Sequence, residues 1–267
     1  MRQLKDVMNL KGRVAVITGG AGHIGFAAAE SLSELGADIV LLDINTKESK
    51  KKAQFISRRF KVNSVAFEVD LAKEKEIKEV SGKIISKFGC IDILVNNAAL
   101  VAASSLKGWC VSFEKQSSDS WRKAMEVNLT SVFILTQSCK EALSRSGHGS
   151  VINISSIYGI VGPDMKLYEG TNMGNPAAYA ASKGGLIQLT RWLATVLAPS
   201  IRVNAISPGG VFRNHKEPFL SRYIKRTPLK RMATEEDLKG PIAYLASDLS
   251  SYVTGQNLVV DGGWTAW

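Results

Sequence analysis

The chain has 267 residues, 45% of them hydrophobic and 22% charged, the balance of an ordinary globular protein. No apolar run approaches the roughly 18 residues that span a bilayer, the start MRQLKDVMNLKGRVAVITGG has no secretory pattern, and Cys90, Cys110 and Cys139 lack metal-ligand spacing, so a reduced, cytoplasmic protein off the membrane is expected. A net charge of +10 raises the nucleic-acid class, but neither basic stretch, 47–61 or 213–231, interleaves aromatics as a single-strand-binding surface does, so no nucleic-acid partner is expected.

RVAVIT (13–18) reads as a buried strand, and HIGFAAAESLSELG (23–36) as a helix closed by Gly36. Between them lies TGGAGHIG (18–25), where glycines let the backbone turn tightly and the helix start offers free N–H groups to a pyrophosphate. DIVLLD (38–43) is a second strand, ending on Asp43, 24 residues beyond Gly19. A carboxylate there accepts from a ribose 2′-OH and repels a 2′-phosphate, which favours NAD over NADP, although Lys47 lies nearby. A basic amphipathic helix (47–61) leads to SVAFEVD (64–70), whose Asp70 can accept from an adenine amino group. KEKEIKEVSGKIISKFG (73–89) is helical, and IDILVNN (91–97) is a fourth strand ending on Asn96 and Asn97.

A long helix is expected over about 118–145, a fifth strand at GSVINISS (149–156), and a helix over 177–197. IRVNAIS (201–207), a helix near 234–247 and NLVVDGG (257–263) complete the series. Strands this apolar belong in a parallel sheet covered on both faces. The expected fold is α/β: a single-domain doubly wound Rossmann fold over residues 1–267, with a seven-stranded parallel sheet and helices on both faces. Two irregular insertions, near 100–117 and 157–176, are too long for simple connections.

NPAAYAASKGG (175–185) puts Tyr179 and Lys183 on one helix face among small residues that leave room for something bulky. With TGGAGHIG, Asp43, the DL pair at 70–71, NNAA (96–99), VNLTSVF (127–133), NISS (153–156), ISPGG (206–210) and VDGGW (260–264), the whole chain resembles the short-chain dehydrogenase/reductase family. The resemblance implies an NAD(H)-dependent oxidoreductase interconverting a secondary alcohol and a carbonyl. Tyr179 would be the general acid/base and Lys183 the cation that lowers its pKa and holds the nicotinamide ribose. A cation about 4 Å away at an effective dielectric near 20 supplies about 4 kcal/mol, about three pKa units. Ser156 would hold the substrate oxygen, with Ser155 as the rival assignment, and Asn128 would serve a proton relay through the lysine. The implied dinucleotide contacts are Gly19, Gly22, His23, Ile24, Gly25, Asp43, Asp70, Leu71, Asn97, Ala98, Tyr179, Lys183, Pro208, Gly209 and Val211. No metal is required.

His23 stands where the family's short branch has glycine, and Arg213 where it often has threonine. After SPGG the family places a substrate lid, here near 209–231. Its Arg213, His215, Lys216, Arg222, Lys225 and Arg226 can attract a carboxylate or phosphate. Tyr158, in an insertion about ten residues beyond the family norm, is the other implied substrate contact. A polar or anionic sugar-type substrate is therefore expected. A similar insertion occurs in family members tied to bacterial flagellin-glycan and surface-sugar synthesis. The alternatives are a cofactor-retaining sugar epimerase or dehydratase, and a non-catalytic nucleotide-sensing or nucleic-acid-binding protein. The family habit of tetramers implies pairing through the helices near 118–145 and 177–197, with Trp264 and Trp267 buried between subunits.

Overall fold

A computed structural model describes residues 1–267. Seven strands run parallel in the order β3-β2-β1-β4-β5-β6-β7. They are β1 (Val14–Thr18), β2 (Asp38–Asp43), β3 (Ser64–Glu68), β4 (Ile93–Asn96), β5 (Gly149–Ile154), β6 (Ile201–Pro208) and β7 (Asn257–Val260). The helices are α1 (Leu4–Met8), α2 (His23–Glu34), α3 (Thr46–Phe60), α4 (Glu74–Phe88), α5 (Ser118–Met125), α6 (Ser131–Arg145), α7 (Ala177–Leu197), α8 (Phe219–Arg226) and α9 (Glu236–Ala246). None is long and apolar enough to cross a membrane.

Successive side chains of a strand point to opposite faces, so an apolar run feeds two cores at once. Ala15 and Ile17 of β1 pack with α2, α3 and α9, among them Leu32, Ile56 and Ile242. Val14 and Val16 pack with α4, α6 and α7, among them Ile84, Leu143 and Leu193. The sheet is thus sealed on both faces, and only its edges and loops remain for a ligand. The strand order reverses at β1 and β4, and such a switch point opens a crevice at the carboxyl ends of the strands.

Four features depart from the sequence expectation. The expected helix over 118–145 is interrupted by a π turn at Glu126–Thr130. Asn128 sits in that turn, and its amide is bound to Leu100 and Ser182, outside its own helix. β7 stops at Val260 because the Asp261 carboxylate accepts from Gly263 N and Thr265 N, starting a turn. Gly262 and Gly263 follow at φ +65° and +87°, backbone that a strand cannot use. The short α1 over Leu4–Met8 has no counterpart in the sequence pattern. Trp264 is 1% exposed within the single chain, edge-on to Tyr158 and stacked on Tyr223, so no neighbouring subunit is needed to bury it. Trp267 remains exposed.

Candidate active site

One cavity of about 850 Å³ runs along the carboxyl ends of the strands, from the glycine turn to α7 and the loop after β6. Of the residues singled out in the sequence, Gly19, Gly22, His23, Ile24, Asp43, Asp70, Leu71, Asn97, Ala98, Ser156, Tyr158, Tyr179, Lys183, Pro208, Gly209, Val211 and Arg213 line it. Gly25 and Asn128 do not: each lies behind the wall and shapes it.

The glycine turn is held from several sides. Gly19 has φ +66°, and a Cβ there would lie 2.8 Å from Asn97 Nδ2 and 3.0 Å from Ala98 Cα. Asn97 Nδ2 donates to Thr18 O (2.9 Å) and Gly19 O (3.3 Å). Thr18 Oγ1, which the sequence reading passed over, accepts from the backbone of Asn97 and Ala98 at 2.9 and 3.0 Å. Asp43 Oδ2 accepts from Ala21 N at 2.8 Å, so this carboxylate both holds the loop and faces the cavity. Lys52, not Lys47, reaches the turn, donating to Ala21 O at 2.7 Å. Gly22 caps the start of α2. A turn without side chains, a helix N-terminus and an acidic strand end lie along one cavity wall. They fit the diphosphate and ribose of a dinucleotide.

At the other end, Tyr179 and Lys183 share one face of α7 as their spacing required. Lys183 is 3% exposed, and its Nζ donates to Ile154 O at 2.7 Å, 5.8 Å from the centre of the Tyr179 ring. Burial pulls its ammonium down to about 8. Burial pushes the Tyr179 phenol above its ordinary value, and the Ser156 hydroxyl, which also accepts from Tyr158 N at 3.1 Å, works in the opposite direction. Ser155 is turned the other way, its Oγ donating to Lys183 O at 2.9 Å. The serine that faces the phenol is therefore Ser156. Asn128 Oδ1 accepts from Leu100 N at 2.7 Å, and its Nδ2 donates to Leu100 O (3.1 Å) and Ser182 Oγ (3.0 Å). It pins the strand-end loop to α7.

Two contributors from the 100–117 insertion gave no local signal. Trp109, 3% exposed, packs with Ala124, Ala178 and the Tyr179 side chain. Its Nε1 donates to Val101 O at 2.9 Å. Gln116 Oε1 accepts from Ala177 N at 3.1 Å, satisfying a free donor at a helix start that has no side-chain cap of its own. A tryptophan and a glutamine in an irregular loop are common, and only the fold shows that they brace α7. Glu235 is a third: its Oε1 meets Arg213 at 2.8 Å and His23 at 3.4 Å, bridging the glycine turn to the loop after β6.

The lid cations are disposed differently from the sequence expectation. Arg226 pairs with Asp164 at 2.6 Å. Arg222 donates to the carbonyls of Lys166, Leu167 and Glu169. These arginines bind α8 to the 157–176 insertion, and neither lines the cavity. Arg213 lines the cavity with its guanidinium on Glu235. The insertion itself folds into turns at Ile157–Gly159 and Met165–Tyr168 and brings Tyr158, Tyr168, Met173 and Asn175 to the cavity.

A family model described as enoyl-(acyl carrier protein) reductase matches residues 19–265. The chain belongs to the short-chain dehydrogenase/reductase family. This dehydrogenase/reductase is 35% identical over 263 residues to trans-4-hydroxycyclohexanecarboxylate dehydrogenase of Sinomonas cyclohexanicum, covering 95% of this chain and 93% of that one. It is 32% identical over 262 residues to a probable galactose dehydrogenase of Rhizobium meliloti, covering 96% of each. Among solved structures, a gluconate 5-dehydrogenase from Burkholderia cenocepacia in complex with NADP and tartrate superposes with a TM-score of 0.88 at 30% identity. It spans 99% of this chain and all of its own. The protein is thus an oxidoreductase of this family with the family's nicotinamide-dependent chemistry.

Proposed function

We propose that this oxidoreductase uses NAD(H) to interconvert a secondary alcohol and a ketone on a polar, sugar-type carbon skeleton. The observation that carries the reading is the meeting of Ser156, Tyr179 and Lys183 at one end of the cavity that has the glycine turn at the other. The bound nicotinamide supplies the hydride acceptor for oxidation and the donor for reduction. The chain's residues do the rest. Ser156 Oγ holds the substrate oxygen beside the phenol. Tyr179 takes the hydroxyl proton during oxidation and returns it during reduction. Lys183 favours the phenolate by its charge, and Asn128, Trp109 and Gln116 keep α7 in place. A probable galactose dehydrogenase and a gluconate 5-dehydrogenase among the relatives support a polar skeleton. Measured oxidation of sugars and ring alcohols with NAD, followed at the nicotinamide absorbance, tests the reading. Turnover only with the cofactor permanently retained would favour the epimerase or dehydratase instead.

Asp43 carries the preference for NAD. Its carboxylate faces the cavity, and a 2′-phosphate beside it meets a like charge, which costs several kcal/mol. We expect kcat/KM with NAD to exceed that with NADP by at least about tenfold, and Asp43→Ser to erase most of the difference. A wild-type preference for NADP would contradict the assignment.

We also propose a homotetramer in the cytoplasm. Phe133 on α6 and Trp192 and Val196 on α7 are exposed at 40%, 54% and 49%, an apolar surface suited to helix pairing between subunits. Light scattering is expected to give four times the 28.9 kDa chain mass. A stable monomer would refute this.

A further inference from the structure

The substrate end of the cavity poses a question of charge. Arg222, Arg226 and Arg213 are engaged as described, and Arg231 forks onto Asp237 through two bonds of 2.7 and 2.6 Å. His215 lies beside Phe212 and Phe219, with ring centres 6.1 and 5.1 Å away. Burial and the charge of Arg213 hold its pKa below the usual histidine value, so it is neutral. Arg213, Arg226 and Arg231 thus each have a carboxylate beside them that offsets their charge.

Beside Arg213, His215 and Asn175, this end of the cavity is lined by Tyr158, Tyr168, Tyr223, Met173 and Met232. Tyr158 and Tyr168 share one hydrogen bond, 3.0 Å between oxygens. One O–H of the pair and several lone pairs are left over. Burial raises both phenols, so both stay protonated and uncharged. Lys123 is the exception to this neutrality. It lines the cavity from an exposed position on α5 and has no acidic partner.

We propose that the substrate is an uncharged, hydroxylated ring alcohol, or the matching ketone, seated against the Tyr158–Tyr168–Tyr223 wall. This rests on the oxidoreductase reading above. The ring's C–H face packs on the aromatic wall and a neighbouring hydroxyl meets the phenol pair. The electron balance is that of the parent reaction. The C–H bond breaks with its electron pair leaving as hydride to oxidised nicotinamide, the O–H proton passes to Tyr179, and the carbon is left as C=O.

The test is kcat/KM for matched neutral and carboxylated compounds: hexoses against their uronic acids, and cyclohexanediols against hydroxycyclohexanecarboxylates. The neutral member is expected to lead by about tenfold or more, with a ratio unchanged between about 20 and about 300 mM salt. Tyr168→Phe is expected to lower kcat/KM for the polyol about tenfold while sparing cyclohexanol. A smaller ratio, a preference for the acid that salt or Lys123→Ala abolishes, or turnover only of open-chain or thioester ketones overturns the proposal and leaves the oxidoreductase reading standing. Absence of nicotinamide-linked turnover across a broad alcohol and ketone panel sinks that parent reading, and the proposal with it.

Discussion

Tyr179→Phe is expected to lower kcat by a factor of about 10² to 10⁴ in both directions while leaving the dinucleotide Kd nearly unchanged. The substitution removes one oxygen from a ring braced by Trp109 and Ala178, so the fold has no reason to move. On the proposed reading, what goes is the group that exchanges a proton with the substrate oxygen. Burial makes this phenol a weaker acid than free tyrosine. The Lys183 ammonium counters that. Its Nζ is 5.8 Å from the ring centre, held there by the Ile154 carbonyl. A cation held near the ring favours the phenolate, as do the Ser156 hydroxyl and the positive charge of oxidised nicotinamide.

The sign of the pH dependence follows. Oxidation needs the phenolate, so its rate rises with pH; reduction needs the phenol, so its rate falls. Lys183 is charged below about 8 and loses its charge above. Lys183→Met removes the charge at every pH and is expected to move the rising limb of oxidation to higher pH. Rate profiles in both directions, with Kd from tryptophan fluorescence, check all of this. A Phe variant that turns over normally would remove Tyr179 from the chemistry.

Gly25→Ala is expected to cost the protein its dinucleotide site. An added Cβ would sit inside the van der Waals shell of Gly19 O and 2.8 Å from Asn97 Nδ2. Those two atoms are the ones that fix the turn, through the Asn97 bonds to Thr18 O and Gly19 O. Overpacking of this kind costs about 1–3 kcal/mol, so Kd for the dinucleotide should weaken by about tenfold or more, with a fall in Tm of about 2–4 °C per kcal/mol. The control is Gly82→Ala on the exposed face of α4, where a Cβ meets nothing within 4 Å. There alanine's better helix propensity should raise stability by about 1 kcal/mol. Calorimetric titration and thermal unfolding of both variants decide the matter. Equal losses would mean that glycine content, not the space at Gly25, is what counts.

The sequence by itself determined the parallel sheet and its covering helices, put Tyr179 and Lys183 on one helix face, and set the glycine turn and Asp43 at strand ends. These follow from strand periodicity, from i, i+4 spacing and from turns that need glycine, all properties of residues close in the chain, whereas the joint role of Ser156, Tyr179 and Lys183 came only with the family resemblance. Only the tertiary structure decided between Ser155 and Ser156, because the choice depends on which hydroxyl the carbonyl of Lys183 captures. It alone showed that Asn128 is bound to Leu100 and that Trp109 and Gln116 brace α7. It alone gave two lid cations their partners: Arg226 finds Asp164 across 62 residues and Arg222 the carbonyls of the insertion, so these two clasp one loop to another. A charge in a sequence has a sign but no partner. The partner is chosen by how irregular segments pack, and no periodicity records that.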